Sequence, residues 1–439
     1  MDATTTIERP AAQDRMQLAV DVGPAPMHVG AVVVLDATVD LESVRRCLAV
    51  RIRGVPRLRR RLVPTPLGCG GPVWVDDPAF DVRDHVAAVA CEAPGDEQAL
   101  LSTAAQALTR PLPRSRPPWA AVLVTGLEDE RCALVLVVHH VLADGIGGLA
   151  VLGQLLDGGV VAPSDDGFPR PPPGRGRLTA DAWGRRWRAA HRAGAVMRDV
   201  AAGWRELGGR PPAAAPRTSW NRPTGPRRRL ATVRVDLAAA TRVAHQEGAT
   251  VNDVLLTVVG RAIGAVGLAR GEWLDSVVVS VPVSARRSAG LADPGNAVGA
   301  MSVSVPTCGG ARHRLRAVGT ATRARKSERR GTSTAVLVPV FGALARVGVF
   351  RWFIEHQRLV TTFVTNVRGP DRPMSFLGTR VLALLPMSVT PGNVTVTFTA
   401  LSYAGVLVVT LVADPDRVPD LDLLARHLQA GLDELCGEA

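Results

Sequence analysis

The sequence predicts a mixed α/β fold in two lobes, and three observations predict it. The chain has 439 residues, long for one ordinary domain and suited to two of about 200. Both halves alternate short apolar runs with helix-period segments, and Pro- and Arg-rich stretches separate them. Hydrophobic residues make up 46% and charged residues 21%, which supplies a large core and excludes wholesale disorder.

Taken in order, VGAVVVLD at 29–36 reads as a buried strand. Asp40 then caps a helix carrying Leu41, Val44, Cys47 and Leu48 on one face. Segments 119–126 and 132–140 read as strands joined by the polar turn LEDE. Both are apolar on both faces, which places them centrally in a sheet. Residues 161–180 are rich in Pro, Gly and Arg and read as a linker. In the helix that follows, Trp183, Trp187, Ala190, Gly194, Met197, Ala201 and Trp204 share a stripe, with six arginines off it. Two readings fit: the stripe packs on a lobe, or the helix lies on an anionic membrane. A second linker ends near Arg229. A strand (LATVRVDL), a helix at 249–266 and strand candidates at 276–283, 301–305, 361–367, 381–385, 394–399 and 406–413 follow, before an amphipathic C-terminal helix. The expected division is a first lobe at 1–160, a Pro/Arg-rich crossover with its helix at 161–229, and a second lobe at 230–439.

The formal net charge is +12, which favours an anionic partner. The basic residues are nearly all arginine, Lys326 being the one lysine. That bias looks like a GC-rich genome, so part of the charge is discounted. Nucleic acid is disfavoured: aromatics are 4%, the arginines are dispersed, and no zinc-finger or helix-turn-helix pattern appears. The basic runs at 54–61 and 323–330 read as solvated faces, or as attractors of phosphates or anionic lipid. Six cysteines without a CxxC pair fit reduced thiols and argue against a zinc site. The polar N-terminus is not a secretory signal, and the apolar stretch 335–350 is broken by Arg346 and shorter than a bilayer span of ~20 residues. A cytoplasmic protein, soluble or peripheral at the inner membrane face, is expected. No GxSxG elbow, phosphate loop or dinucleotide fingerprint is present.

Chemistry concentrates where the strand ALVLVVHH ends in His139 and His140 and turns through VLADGIGG into a helix. A polar pair at the end of a buried strand is where a site belongs in an α/β fold. Imidazole titrates near neutral pH, so it can take a proton from an alcohol or amine in the transition state. Asp144 either contacts a histidine or braces the loop by pairing with an arginine, and Gly145 allows a tight turn. The N–H groups near Gly145, Gly147 and Gly148, at a helix start, are the first candidates to bind a developing oxyanion.

HHVLADG resembles the HHxxxDG signature of the superfamily that includes chloramphenicol acetyltransferase, carnitine acyltransferases and peptide-synthetase condensation domains. Along nearly its whole length the chain is similar to the bacterial wax ester synthase/diacylglycerol acyltransferase family. The resemblance is carried by PMHVGAVVVLD (26–36), LTRPLPRSRPPW (108–119), ATVNDVLL (249–256), VVSVPVSAR (278–286), GNAVGAM (295–301), TNVRGP (365–370) and LSYAGVL (401–407), in the family order. It implies the two-lobed chloramphenicol acetyltransferase-like fold with an interface channel. His140 would be the base and His139 its structural neighbour. Acyl-CoA would be the co-substrate, with no permanently bound cofactor and no metal, and a fatty alcohol or diacylglycerol the acceptor. Arg286 would pair with Asp144 and fix the loop. Members associate with membranes or lipid bodies. The sequence departs from the family at Pro113, Pro118, Ala120, Thr365 and Arg368. A natural-product or polar-metabolite acceptor, an acyl carrier protein as donor, and a non-catalytic homologue are therefore the alternatives.

Asn252 and Asp253 begin a helix, so they cap it or brace the channel. Ser388 and Asn393 flank the turn VTPGN, where they line the acceptor side or simply make the turn.

Overall fold

The computed structural model describes residues 7–21, 23–142, 145–159, 167–206, 215–284, 298–328, 344 and 348–437. In the first half run α1 (Ala12–Val20), β1 (His28–Leu35), α2 (Leu41–Arg51), β2 (Arg60–Val63), β3 (Val73–Asp76), β4 (Val86–Ala90), α3 (Glu97–Thr109), β5 (Trp119–Thr125), β6 (Cys132–His139), α4 (Gly145–Leu155) and the long α5 (Arg175–Glu206). The second half holds β7 (Arg229–Asp236), α6 (Leu237–Gln246), α7 (Val251–Ala269), β8 (Ser276–Ser284), β9 (Val298–Pro306), α8 (Ala311–Glu328), α9 (Phe350–His356), β10 (Thr362–Arg368), β11 (Ser375–Phe376), β12 (Thr379–Met387), β13 (Val396–Tyr403), β14 (Val406–Ala413) and α10 (Leu421–Cys436).

Among the described residues these strands make two six-stranded mixed sheets and a β2–β3 hairpin. The first sheet runs β11-β12-β1-β6-β5-β4 and the second β7-β14-β13-β10-β8-β9. All eight residues of β6 are buried, as a strand apolar on both faces requires when β1 and β5 flank it. β14 spans the predicted residues 406–413, and the other apolar strands agree within a few residues. β13 and β14 join through a two-residue turn with Ala404 at φ 47° and Gly405 at φ 87°. Both sit in the left-handed region that a tight hairpin needs.

The sheets do not follow the division at 160 and 230. β11 and β12 come from the second half, yet β12 pairs antiparallel with β1, Gly30 opposite Met387 and Val34 opposite Ala383. Hydrophobic pattern identifies a strand but not its partner, so the expectation that 381–385 stays in the second lobe is corrected. The chain's single tyrosine pins this crossing: Tyr403 accepts from the Met374 N–H (2.7 Å) and donates to the Val381 carbonyl (3.0 Å). Asp157, after α4, accepts from the Gly378 N–H (2.9 Å) and pairs with Arg51 (2.7 Å). Apolar clusters on both faces of the first sheet draw residues from the second half, including Leu401 and Tyr403 on one face and Leu230 and Val408 on the other.

Three further expectations change. α5 starts at Arg175, inside the stretch read as linker. Its stripe does not pack on a lobe over 183–191: Leu178 and Ala182 are buried, but Trp183 is 64% and Trp187 66% exposed. The basic run at 54–61 is not a solvated face. Arg57 pairs with Glu8 and stacks 4.5 Å over Trp74, and Arg60 bonds Asp76 at 2.8 Å. The 19-residue α7 is long and apolar enough to cross a membrane by length and composition, but it is 67% buried in the second lobe's core.

Candidate active site

β6 runs antiparallel to β1 with His139 opposite His28. Both imidazoles are buried, and their ring centroids lie 5.9 Å apart, edge to face. His28 Nδ1 contacts the Leu108 carbonyl at the end of α3 (2.9 Å). Burial pushes His28 down to about 4, against that bond, so it is neutral at pH 7.

His139 is engaged on both ring nitrogens. The Val141 N–H donates to Nδ1 at 3.0 Å, and Nε2 lies 3.3 Å from Asp21 Oδ2. A nitrogen that accepts an N–H carries no proton, so the neutral ring holds its hydrogen on Nε2 and donates it to Asp21. Asp21 closes the C-terminal end of α1. Its other oxygen accepts from the Met27 N–H (3.1 Å), and the exposed Arg114 guanidinium stands 3.7 Å away. Burial raises the Asp21 carboxyl, but the hydrogen bonds from His139 and the Met27 N–H, with the Arg114 charge, outweigh it and hold it below the usual value. The His140 N–H donates to the Met27 carbonyl (2.8 Å), and the His139 carbonyl accepts from Leu142 (2.8 Å). His140 is half-buried, with Nδ1 shielded from solvent.

The other predicted residues fall as follows. Asp144 and Arg286 lie outside the described residues. Gly145, Gly147 and Gly148 form the first turn of α4, and a Cβ at Gly148 would meet open space. Ser388 lines a crevice with Met27, His28, Leu108 and Arg228, on the histidine-bearing end of β1. Asn393 braces its turn instead, donating to the Gln357 carbonyl (2.8 Å) and accepting from Gln357 Nε2 (2.7 Å). Asp253 caps its own helix: Oδ2 accepts from the Thr250 N–H (2.8 Å), and Oδ1 takes the Thr322 hydroxyl of α8 (2.7 Å). Asn252 beside it is half-buried, and among the described residues no hydrogen bond joins it or Ser388 to the histidines. Asp21 was not foreseen, because a lone acidic residue in a polar N-terminal segment carries no motif.

Comparison with known proteins places this geometry. Residues 11–255 match the model of the wax ester synthase/diacylglycerol acyltransferase catalytic domain, and residues 294–436 that of the WS/DGAT C-terminal domain. A protein of Mycobacterium tuberculosis named a probable diacylglycerol O-acyltransferase, tgs1, is 32% identical over 94% of this chain and 89% of its own. The wax ester synthase/diacylglycerol acyltransferase of Marinobacter aquaeolei VT8 superposes with a TM-score of 0.70 at 23% identity, covering 98% of each chain. The first condensation domain of the CDA synthetase follows with 0.64 at 18% identity, over 99% of this chain and 97% of its own. The fold is thus the two-lobed one those structures share. With the paired histidines at the end of β6 and both family models matched in order along it, the chain belongs to the wax ester synthase/diacylglycerol acyltransferase family.

Proposed function

We propose that the chain is an O-acyltransferase that moves an acyl group from acyl-CoA to a fatty alcohol or diacylglycerol, with His140 as general base. Membership of the family and the mycobacterial relative support the ester-forming reaction. The observation that carries the choice of base is the double engagement of His139. That engagement argues against His139 as the proton acceptor and supports its neighbour in that role.

His140 takes the hydroxyl proton as the acceptor oxygen attacks the thioester carbonyl. The C–O bond forms, the C–S bond breaks, and the proton passes to the departing CoA thiolate, giving ester and free thiol. No covalent enzyme intermediate is required. The N–H groups near 145–148, at the start of α4, are the proposed oxyanion donors. Ser388, in the crevice beside Met27 and His28, is the proposed contact for the acceptor. The exposed tryptophans of α5 give the protein a peripheral hold on an anionic lipid surface, where such acceptors dissolve.

The test is purified protein with acyl-CoA donors of several lengths against a fatty alcohol, a diacylglycerol and a polar alcohol, scored by thiol release and product mass. His140→Ala should lose about 10²–10⁴ in kcat while still binding CoA. Equal turnover in the variant removes the base assignment, and turnover with the polar alcohol alone removes the lipid acceptor.

A further inference from the structure

We propose that Asp21 is a positioning residue for the base, resting on the assignment of His140 above. Asp21 reaches His140 by two routes. Oδ2 holds the ring of His139, the residue before it. Oδ1 holds the Met27 N–H, and the carbonyl of that same residue accepts the His140 N–H. One carboxylate therefore fixes the peptide on either side of the reacting imidazole, from an element far away in sequence. Met27 immediately precedes β1, so the clamp also sets where the catalytic strand ends against its neighbour.

A small error in the angle of a base is costly, since a misplacement of about 1 Å from outside the reacting groups can lower a rate about 10²-fold. Asp21 is negative and partly buried, so it also favours the protonated form of nearby imidazole. The charged and titratable groups around it are His139, Arg114 at 3.7 Å and, behind His139, His28.

The experiment is steady-state kinetics of Asp21→Ala and Asp21→Asn with acyl-CoA and the acceptor found for the wild type, with thermal melting as the check on folding. We expect Asp21→Ala to lose about 10²-fold in kcat with KM within about twofold. Asparagine keeps the volume but accepts from one of the two donors, so its loss is smaller. In both variants the acid limb of the kcat/KM profile moves to lower pH, because removing the anion makes the base easier to deprotonate. A folded Asp21→Ala with wild-type kcat overturns the proposal. So does a loss confined to KM, or a fall in kcat with the acid limb unmoved, which marks a merely structural residue. Should alanine fail to fold, the isosteric Asp21→Asn decides by the same readouts. His140→Ala run alongside separates the two claims: if it stays active the base assignment has failed, and if it alone is dead only the positioning role has.

Discussion

Burial sets the charge state of His28. Its folded-state value near 4 lies below the usual 6.5 of a free imidazole. Between those values the unfolded chain binds a proton that the fold refuses, so stability falls as pH drops through that window. The loss reaches about 3 kcal/mol by pH 4 from this group. His85, also lowered by burial, adds in the same direction. Asp21, held below its ordinary value, contributes stability that persists above about 3.8 and is lost only at more acid pH. Urea midpoints at pH 7, 5.5 and 4.5 should therefore drop steeply for wild type and less steeply for His28→Gln; parallel curves would contradict this. At this scale the sequence was partly legible. The histidine pair stands out because a wholly apolar strand rarely ends in two imidazoles before a glycine-rich turn. Asp21 was hidden because its role comes from a contact across 118 residues, and nothing local distinguishes it from a solvated carboxylate.

Elements were legible wherever burial is continuous. β6 and β13 are buried end to end and β14 at every residue but Val406, and apolar residues dominate all three even though β13 carries Thr397, Thr399 and Ser402, so their pattern marks them as central strands. β4 is an edge strand with one buried residue, Val86, and leaves little trace. α3 carries a readable signal of its own: Asp96 caps it, and Leu100, Leu101, Ala104, Ala105 and Leu108 make a buried stripe. α5 teaches the opposite lesson. Its period was right, but a helical stripe does not say what covers it. Trp183 and Trp187 stand exposed beside Arg185, Arg186 and Arg188, with Arg186 over the Trp183 ring at 5.6 Å. Indole rings suit the lipid headgroup level, and each nearby arginine adds about 1 kcal/mol at an anionic surface. Replacing both tryptophans by alanine should weaken co-sedimentation with phosphatidylglycerol vesicles by about tenfold or more and leave turnover of a soluble acceptor unchanged. Undiminished binding would exclude this helix as the anchor.

Over the whole molecule, two mixed lobes were legible and their exchange of strands was not. Pairing joins segments from opposite ends of the chain, and local pattern is blind to it. The seam is further stitched by Arg234 of β7 and Glu97 of α3 at 2.7 Å. The β1–β12 register has a consequence for recombination between relatives. A chimera joined at residue 229 would place in its second half two strands shaped for a foreign sheet, facing a β1 they had never met. Such hybrids should be poorly soluble. Hybrids that transplant 370–387 together with the first half should recover solubility, as measured by soluble yield and a single cooperative melt. The unit of inheritance in this architecture is then a discontinuous one, and loop grafts within a lobe are safer than the exchange of halves.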